Sequence, residues 1–465
     1  MIFSQLLSSF HVPKDQKKIA DAYEFSRKYL SSVLRRTGEN YFEHGEELAF
    51  VVFEQTRSPS LLACALCHDL HLHPQGEEIL RHSFFSEFER DVIRSMHQLR
   101  RLHLNENTSD LEFAIESFLK NSDIALLRLA HRVNDIRHIK RFLPKLQKAI
   151  ARETLFLYGM IAGSLGISAW RRELEDISFS VLHPRYFQKV SEEFRASSRF
   201  DTTLLNKTEE VIRREIGKEN LPSQLHGRTK GIYSTYKKLL LHHCSFREIP
   251  DRLAIRIITE SEKDCYQILG IVHRLFPPLF SGFKDYIAAP KENGYRSLHT
   301  VVFPFPGENT QPIEIQIRTY RMHSQNEFGL SSHSRYKSAK YALTKGKMLG
   351  NLERGLLHLR AEVKSPERFE QVLTSTLREK QIIFFDKNNE PHAIDAPATL
   401  LDSACLLLEE KSAFLKEARL NGRLEELGTS VRNGDTVSFR LSRTKQSTKK
   451  WKTYVTQEKF RSFFS

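Results

Sequence analysis

The spacing of apolar residues changes along the chain. Up to about residue 195, leucine, phenylalanine and alanine recur every three or four positions, as in "LLACALCHDL" and "SFLKNSDIALLRLAHRVNDI", which predicts amphipathic helices. After about residue 250 the period becomes two in "RLAIRIIT" and "PIEIQIRT", which predicts half-buried strands. We therefore predict an all-α domain over residues 1–195 and an α/β domain over residues 196–340.

The last third of the chain changes pattern again. Residues 341–379 are basic with a helical period and predict a connector. The segments "QIIFFDKNNEPHAI", "TLLDSACLLLEE" and "GDTVSFRL" predict a small α+β domain of strands around a helix over residues 380–443. Residues 444–465 form a basic tail with aromatic residues. We expect this tail to be solvated and partly disordered rather than a specific RNA-binding element.

Charge and composition narrow the class of partner. The formal net charge of +14 and the isoelectric point near 9.4 favour anionic partners such as nucleotides, RNA or an acidic protein surface. The first residues lack the pattern of a signal peptide, and no stretch is long and apolar enough for a membrane span. We expect a cytoplasmic protein with no membrane partner. The sequence makes no prediction of oligomeric state.

One predicted strand carries a carboxylate among other polar groups. In "PIEIQIRT" the alternation puts Ile313, Ile315 and Ile317 on one face. The opposite face carries Glu314, Gln316 and Arg318. A carboxylate, an amide and a guanidinium can bind a metal, orient a ligand and neutralise phosphate. Cross-strand charge pairs are the alternative explanation, and for this strand alone they are the better one.

Two neighbouring segments add charged candidates. Asp251 opens the strand "DRLAIRIIT", which also carries Arg256. Asp251 and Glu314, as two carboxylates on adjacent strand ends, would together hold one Mg²⁺ that also contacts a triphosphate. Upstream, "HGRTKGIYSTYKK" offers four candidate phosphate ligands: Arg228, Lys230, Ser234 and Lys238. A helix from about residue 231 places the last two on one face. A solvated basic face is the alternative.

The segment "FKDYIAAPKENGYRSLHT", residues 283–300, mixes lysine, asparagine, tyrosine and histidine. It also holds a glycine, which lets the backbone approach a ligand closely. The mixture indicates a pocket for a flat, anionic ligand.

Six segments together resemble a known domain. In order and spacing, "GRTKGIYSTYKK", "DRLAIRIIT", "DCYQILGIVH", "FKDYIAAPKENGYRSLHT", "IEIQIRT" and "MHSQNEFGLSSHSRYK" resemble the synthetase domain of the RelA/SpoT-homologue family. Its members make ppGpp and pppGpp by moving a pyrophosphate from ATP to the 3′-hydroxyl of GDP or GTP. The resemblance therefore implies ATP and GDP or GTP as partners and Mg²⁺ as cofactor.

The resemblance also implies roles for single residues. Asp251 and Glu314 match the metal-binding carboxylates, and Glu314 would help to deprotonate the 3′-hydroxyl. Arg228, Lys230 and Lys238, with Ser234 nearby, match the contacts to the phosphates of ATP. Tyr295 matches the ring that stacks on guanine. The remaining implied nucleotide ligands are Arg256, Lys291, Asn293, His299, Gln316 and Arg318.

The N-terminal half resembles the hydrolase of the same family, an HD domain that binds Mn²⁺ and removes the 3′-pyrophosphate. "RRTGENYFEHGEELA" supplies His44, with Arg35 as the accompanying basic residue, and "CALCHDL" supplies His68 and Asp69. The resemblance implies that His44, His68 and Asp69 are metal ligands.

This half departs from the family at two places. Where the family has "LADR" followed by "HNM", the chain has "LAHRVNDI", with His131 in place of the metal aspartate and Asp135 in place of an asparagine. The acidic pair that serves catalysis is replaced by Leu72 and His73. We expect a degenerate hydrolase. The alternative is a bifunctional enzyme in which His131 is a working ligand.

Residues 380–443 resemble a TGS domain, a ubiquitin-like module that contacts RNA on the ribosome in long family members. The resemblance implies an RNA or ribosome contact through this module and the basic tail. A non-enzymatic nucleotide sensor or RNA-binding regulator is the remaining alternative, and the presence of both Asp251 and Glu314 argues against it.

Overall fold

The computed structural model describes residues 3–35, 37–81, 83–100, 113–114, 117–118, 121–164, 167–242, 246, 249, 251–291, 295–305, 311–328, 381–388, 390–432, 434–446 and 451–464. These residues form two compact units that divide between Leu174 and Glu175, with residues from 381 onward in the second unit. The predicted connector over residues 341–379 and the candidate Asn293 lie outside the described residues. None of the described helices combines the length and the apolarity that a membrane span requires.

The first unit forms helices and no extended strand over its described part. Its α-helices are α1 Phe3–Ser8, α2 Pro13–Leu30, α3 Tyr41–Gln55, α4 Pro59–Cys67, α5 Gly76–Arg81, α6 Glu87–Arg100, α7 Ser122–Arg137, α8 Pro144–Glu153 and α9 Gly159–Ser164. Helix α10, Ser168–Leu182, crosses into the second unit. The α-helical prediction for this region is confirmed.

Helix α4 lies at the centre of the first unit. All its residues from Leu61 to Cys67 are buried, because this helix is apolar on every side and only a surrounding protein interior can satisfy it. It packs against α2 and α3. The chain leaves α4 through His68 and Asp69 into a short 3₁₀ turn, Leu70–Leu72.

The second unit contains a mixed five-stranded sheet. Its elements are α11 Pro184–Lys218, β1 Ser223–Thr229, α12 Ile232–His242, β2 Leu253–Thr259, α13 Glu262–Leu275, β3 Pro278–Asp285, β4 Leu298–Val302, β5 Ile313–Thr319 and α14 Tyr320–Phe328. The strand order is β1-β2-β5-β4-β3. Strands β2 and β5 are parallel, and the other neighbours are antiparallel.

The predicted apolar face of the strands is confirmed, but the strands are not half-buried, because Gln316 and Arg318 on the opposite face of β5 are buried as well. Ile313, Ile315 and Ile317 are fully buried, as are Leu253, Ile255 and Ile257 on β2. They pack under α13 and the second half of α11. The boundary that we predict at residue 195 falls inside α11, which is 35 residues long and buries Leu205, Ile212 and Ile216 against the sheet.

The C-terminal residues form an α+β module. It comprises β6 Gln381–Phe385, β7 Pro391–Asp395, α15 Leu400–Leu408, the 3₁₀ segment Glu409–Phe414, β8 Leu415–Leu420, β9 Arg423–Glu425 and β10 Val437–Leu441. Strands β6 and β7 pair as one sheet and β10-β8-β9 as another. The predicted α+β class is confirmed, and the TGS assignment stays a prediction.

The prediction of a solvated, partly disordered tail is wrong for residues 451–464. These residues form α16, Trp451–Tyr454, and the 3₁₀ segment Glu458–Phe464. Val455, Phe460 and Phe464 are buried in the core of the C-terminal module. The apolar side chains recur at helical spacing between the lysines, so one face can pack while the charges remain in water.

Candidate nucleotide site and candidate metal cluster

The strand register places several predicted site residues on one face of the sheet. Residues that pair directly across strands share a face. The register aligns Arg228, Ala254 and Glu314, and in the next row Arg256, Gln316 and His299. Lys284 on β3 pairs with His299 and so lies on the same face. The sequence analysis did not include Lys284 among the candidates, although its segment was singled out.

Glu314 is held by two neighbours. His299 Nδ1 lies 2.8 Å from Glu314 Oε1 and donates to it, and Gln316 Nε2 donates to Oε2 at 2.6 Å. On the other side of the imidazole, the Tyr295 hydroxyl lies 2.8 Å from His299 Nε2. Burial raises the pKa of Glu314, but the bonds from His299 and Gln316 outweigh it and lower the pKa below its usual value. Glu314 is therefore an oriented, ionised carboxylate.

Asp251 stands in the turn before β2. Lys230 Nζ and Lys238 Nζ each donate to Asp251 Oδ2 at 2.6 Å. Burial raises the pKa of Asp251, but the two ammonium groups outweigh it and lower the pKa. The predicted helix from about residue 231 is confirmed as α12, which brings Lys238 to Asp251, whereas no contact among the described residues places Ser234 at the site.

The residues present fit a divalent cation. Asp251 Oδ1 is buried without a hydrogen-bond partner, which leaves one carboxylate oxygen in need of a positive charge or a donor. The charge of Asp251 also raises the pKa of Glu314, so the two carboxylates act on each other electrostatically. Oxygen donors of this kind are the ligands that Mg²⁺ prefers.

The predicted guanine platform lies beside this face. Lys291 Nζ is 5.1 Å from the centre of the Tyr295 ring and 4.5 Å from that of Tyr286. Tyr286 packs edge-on against Tyr295 and His299. Tyr286 was not among the predicted site residues. It lies nine residues before Tyr295 in the same segment, and this spacing does not predict the contact between the two rings. Burial raises the pKa of Tyr295 above its usual value, and the nearby charge of Arg318, which is buried on β5, offsets part of this rise.

The second candidate site lies in the first unit, where α3, α4 and α7 meet. Asn40 caps α3 in a reciprocal capping box with Glu43, which directs His44 in the first turn toward the interior. Next to it, Gly45 lets α3 approach α4: a Cβ there would lie 2.5 Å from the Leu66 carbonyl oxygen. The close approach brings His44 beside His68, the residue that ends α4.

Four side chains converge at this point. His44, His68, Asp69 and His131 each offer one ligand atom, and these atoms all lie within 4.8 Å of one another. His44 Nε2 is 3.1 Å from His131 Nε2, and His68 Nε2 is 3.0 Å from Asp69 Oδ2. His44 is fully buried, and His131 is 9% exposed. The structure thus brings together all four residues that the sequence analysis named for a metal.

Neighbouring groups determine which imidazole nitrogens carry hydrogen. Arg35 Nη1 lies 2.9 Å from His44 Nδ1. Because the guanidinium can only donate, His44 Nδ1 accepts and its Nε2–H points at His131 Nε2. Burial and the neighbouring histidines hold the pKa of His44 well below its usual value, and burial lowers the pKa of His131 to about 4. Both imidazoles are neutral at neutral pH, as metal ligands must be.

Two supporting residues were not identified as such from the sequence. Arg100 at the end of α6 donates from Nη1 to Asp69 Oδ1 at 2.8 Å and from Nη2 to the Tyr41 hydroxyl at 3.1 Å. Asp135 Oδ2 lies 3.1 Å from His131 Nδ1. The i,i+4 spacing of His131 and Asp135 was the available signal for this contact, whereas no sequence feature pointed to Arg100.

The donor set of this cluster fits Mn²⁺ only in part. Three imidazole nitrogens and one carboxylate oxygen converge. Imidazole is typical of Zn²⁺, Fe²⁺ and Ni²⁺ sites, and Mn²⁺ favours sets richer in oxygen. The residues therefore form a metal-type cluster, and its donors are more nitrogen-rich than the predicted ion prefers.

Comparisons with known proteins cover both sites. Residues 22–168 match the model of the HD domain, and residues 227–341 match the model of the region found in RelA/SpoT proteins. The GTP pyrophosphokinase of Myxococcus xanthus is 30% identical over 469 residues, covering 98% of this chain and 61% of that protein. The two domain matches and this relative together support a RelA/SpoT family protein.

Another relative is named for a different activity. A guanosine-3′,5′-bis(diphosphate) 3′-pyrophosphohydrolase of Spiroplasma citri is 29% identical over 470 residues, covering 94% of this chain and 61% of that protein. The chain spans about three fifths of the length of these curated relatives. The small alarmone synthetase 1 of Bacillus subtilis, solved with its product pppGpp, is 23% identical with a TM-score of 0.27, covering 38% of this chain and 100% of that one. A score that low does not by itself establish a shared fold.

Proposed function

We propose that this RelA/SpoT protein is a cytoplasmic, Mg²⁺-dependent alarmone synthetase that transfers a pyrophosphate from ATP to the 3′-hydroxyl of GDP or GTP. The observation that carries the proposal is the environment of Glu314: an ionised carboxylate, held by His299 and Gln316, on a sheet face that also carries Arg228 and Arg256. An oriented base beside several cations is what phosphoryl-type transfer requires. The relatives named GTP pyrophosphokinase support the same conclusion.

The reaction assigns a step to Glu314. Its carboxylate accepts the proton of the acceptor's 3′-hydroxyl as that oxygen bonds to the β-phosphorus of ATP. The bond from the β-phosphorus to the oxygen that bridges the α- and β-phosphates breaks, and AMP leaves with that oxygen. The hydrogen bond from His299 fixes the carboxylate so that no reorientation is needed at the moment of transfer.

The cations of the site have the task of neutralising phosphate charge. Lys230 and Lys238 now neutralise Asp251, and on nucleotide binding we expect both ammonium groups to turn to the triphosphate. Mg²⁺ held by Asp251 and Glu314 would supply further charge compensation at the transferred group. Arg228 shares a sheet face with Glu314, and we expect its guanidinium to add a bidentate contact to phosphate.

For the HD domain we propose a degenerate hydrolase. Leu72 offers no group that could accept a proton, and His73 Nδ1 accepts a hydrogen bond from the Gln75 backbone at 3.2 Å. Neither residue supplies the carboxylate that would activate water. The alternative, a bifunctional enzyme, is favoured by the convergence of His44, His68, Asp69 and His131 and by the relative named as a pyrophosphohydrolase.

An RNA or ribosome contact through the C-terminal module also belongs to the proposal. The module is the one that resembles a TGS domain, and residues 451–464 are part of its fold. Lys452 and Lys459 stay exposed on the outside of this segment, which is where phosphate contacts would form.

The deciding experiment is a thin-layer assay with labelled ATP, GDP or GTP, and Mg²⁺. We expect product from the wild type and a loss of about 10²–10⁴-fold for Glu314→Ala, the range typical of a lost general base. Glu260→Gln, an exposed carboxylate one residue beyond β2, is the matched control and should keep its rate. A wild type that binds GDP normally and makes no product would support a non-enzymatic sensor. Release of pyrophosphate from ppGpp in Mn²⁺, abolished by His68→Ala, would establish the bifunctional alternative.

A further inference from the structure

Two residues at which this chain departs from the family contact each other. His131 and Asp135 lie one turn apart on α7, with Asp135 Oδ2 3.1 Å from His131 Nδ1. A decaying site would accumulate changes independently of one another. Here the new imidazole has a carboxylate at its far nitrogen, which is the usual support of a metal-binding histidine.

Asp135 sets the orientation of His131. A carboxylate at Nδ1 favours the tautomer with hydrogen on that nitrogen, which leaves the Nε2 lone pair directed into the cluster. His68 has the same arrangement, because its Nδ1 lies 2.8 Å from the Ala65 carbonyl oxygen and must donate there. Its Nε2 is buried and lies 3.0 Å from Asp69 Oδ2. His131 thus presents an unprotonated Nε2 to the cluster without any rearrangement, and the imidazole of His68 is already oriented toward it.

The other two donors are also supported. Arg100 binds Asp69 through Oδ1, which leaves Oδ2 facing His68 and, at 3.9 Å, His44. His44 is the exception, since it donates from Nε2 to His131. A bound ion would replace this hydrogen bond, and Arg35 would have to move away from His44 Nδ1 so that the proton could be held there.

We propose that the HD cluster of this chain is a rebuilt site for a nitrogen-preferring divalent ion of the Zn²⁺ class, with Asp135 as the positioning residue of His131. Three imidazoles and one carboxylate match the ligands of such ions. These four protein ligands would fill the shell of a four-coordinate ion, which would leave no position for a reactive water. The ion would then stabilise the helical unit rather than hydrolyse a substrate. This inference does not depend on the synthetase reaction.

The test is metal competition in the intact chain. Metal-stripped protein is dialysed against equal concentrations of Zn²⁺ and Mn²⁺ without nucleotide, and bound metal is measured by mass spectrometry. Any nitrogen-containing site tends to prefer Zn²⁺ over Mn²⁺, so the informative quantity is the change in that preference between variants. We expect His131→Asp to lower the ratio of bound Zn²⁺ to Mn²⁺ at least tenfold. Asp135→Asn, which keeps the shape of the side chain, should weaken Zn²⁺ binding about 10- to 100-fold.

Controls and a second readout keep the test decisive. His138→Ala, on the residue just after α7 and outside the cluster, should leave metal binding unchanged. Visible spectra of the Co²⁺-loaded wild type should show the intense bands of four-coordinate cobalt. This measurement uses the wild type alone, so it remains valid if the His131 variant fails to fold. An unchanged metal ratio in His131→Asp, or undiminished Zn²⁺ affinity in Asp135→Asn, would overturn the proposal. The weak bands of six-coordinate cobalt would overturn the closed site.

Discussion

The two candidate sites of this protein differ in how the side chains that would bind a metal are stabilised by their neighbours. In the HD cluster three of the four donors are imidazoles that contact one another in the interior, and the acidic ligand, Asp69, is paired with Arg100. At the nucleotide site the ligands are carboxylates, and each is held by a cation or a donor, Asp251 by two lysines and Glu314 by His299. Neutral nitrogen donors can be buried without counter-ions, whereas a partly buried carboxylate requires compensation. The same chain thus holds one site as a buried imidazole cluster and the other as carboxylates whose charge is compensated.

The largest expected effect tests the compensated carboxylate. Asp251→Asn removes the charge that Lys230 and Lys238 now contact and that a metal would need. We expect kcat for synthesis to fall about 10²–10³-fold. Steady-state assays over a range of Mg²⁺ concentrations measure it. If excess Mg²⁺ restores the rate fully, Asp251 contributes only to ion affinity, and an unchanged rate would remove it from the site altogether.

The second prediction concerns metal removal from the imidazole cluster. Free ion at about 100 times its Kd stabilises a folded site by about 2.7 kcal/mol, so a chelator should lower the unfolding temperature of the first unit. Differential scanning calorimetry of the intact chain measures the shift. His131→Ala, with one donor fewer, should unfold at the same temperature with and without chelator. A chelator effect of equal size in that variant would place the ion elsewhere.

The third prediction concerns a substitution that adds one methyl group and should affect the metal cluster without affecting synthesis. Gly45→Ala places a Cβ against the Leu66 carbonyl oxygen, so α3 and α4 must move apart. We expect a loss of about 1–3 kcal/mol in unfolding free energy and weaker metal binding, with synthesis retained. Gly270→Ala in α13 is the matched control, because no atom lies within 4 Å of its added Cβ. Denaturant titration compares the two, and equal stability of both variants would contradict the packing argument.

The smallest expected effect tests whether His299 positions Glu314 or binds the nucleotide. His299→Ala removes the donor to Oε1, and we expect kcat to fall about tenfold, which corresponds to about 1.4 kcal/mol. The KM values for both nucleotides should change little, since the contact is to the carboxylate. Gln at this position should restore part of the rate by donating from its amide. A raised KM for GDP with unchanged kcat would instead make His299 a nucleotide ligand.

Much of this arrangement could be predicted from the sequence. The period of two in "PIEIQIRT" gave the buried face of β5 and the polar face with Glu314, because side chains of a strand alternate regardless of what surrounds it. The start of α12 near residue 231 followed from local pattern in the same way. The four metal-type residues were identifiable from motif resemblance, since each lies in a short segment with its own signature.

Only the tertiary structure decided what these residues contact. The pairing of Asp251 with Lys230 and Lys238, the bond from Arg100 to Asp69, and the burial of Phe460 and Phe464 in the C-terminal module join residues far apart in sequence. Local pattern specifies which way a side chain points relative to its own helix or strand. Which group it meets depends on how the elements pack, and at both sites that packing determines whether a ligand stands charged, neutral or already paired.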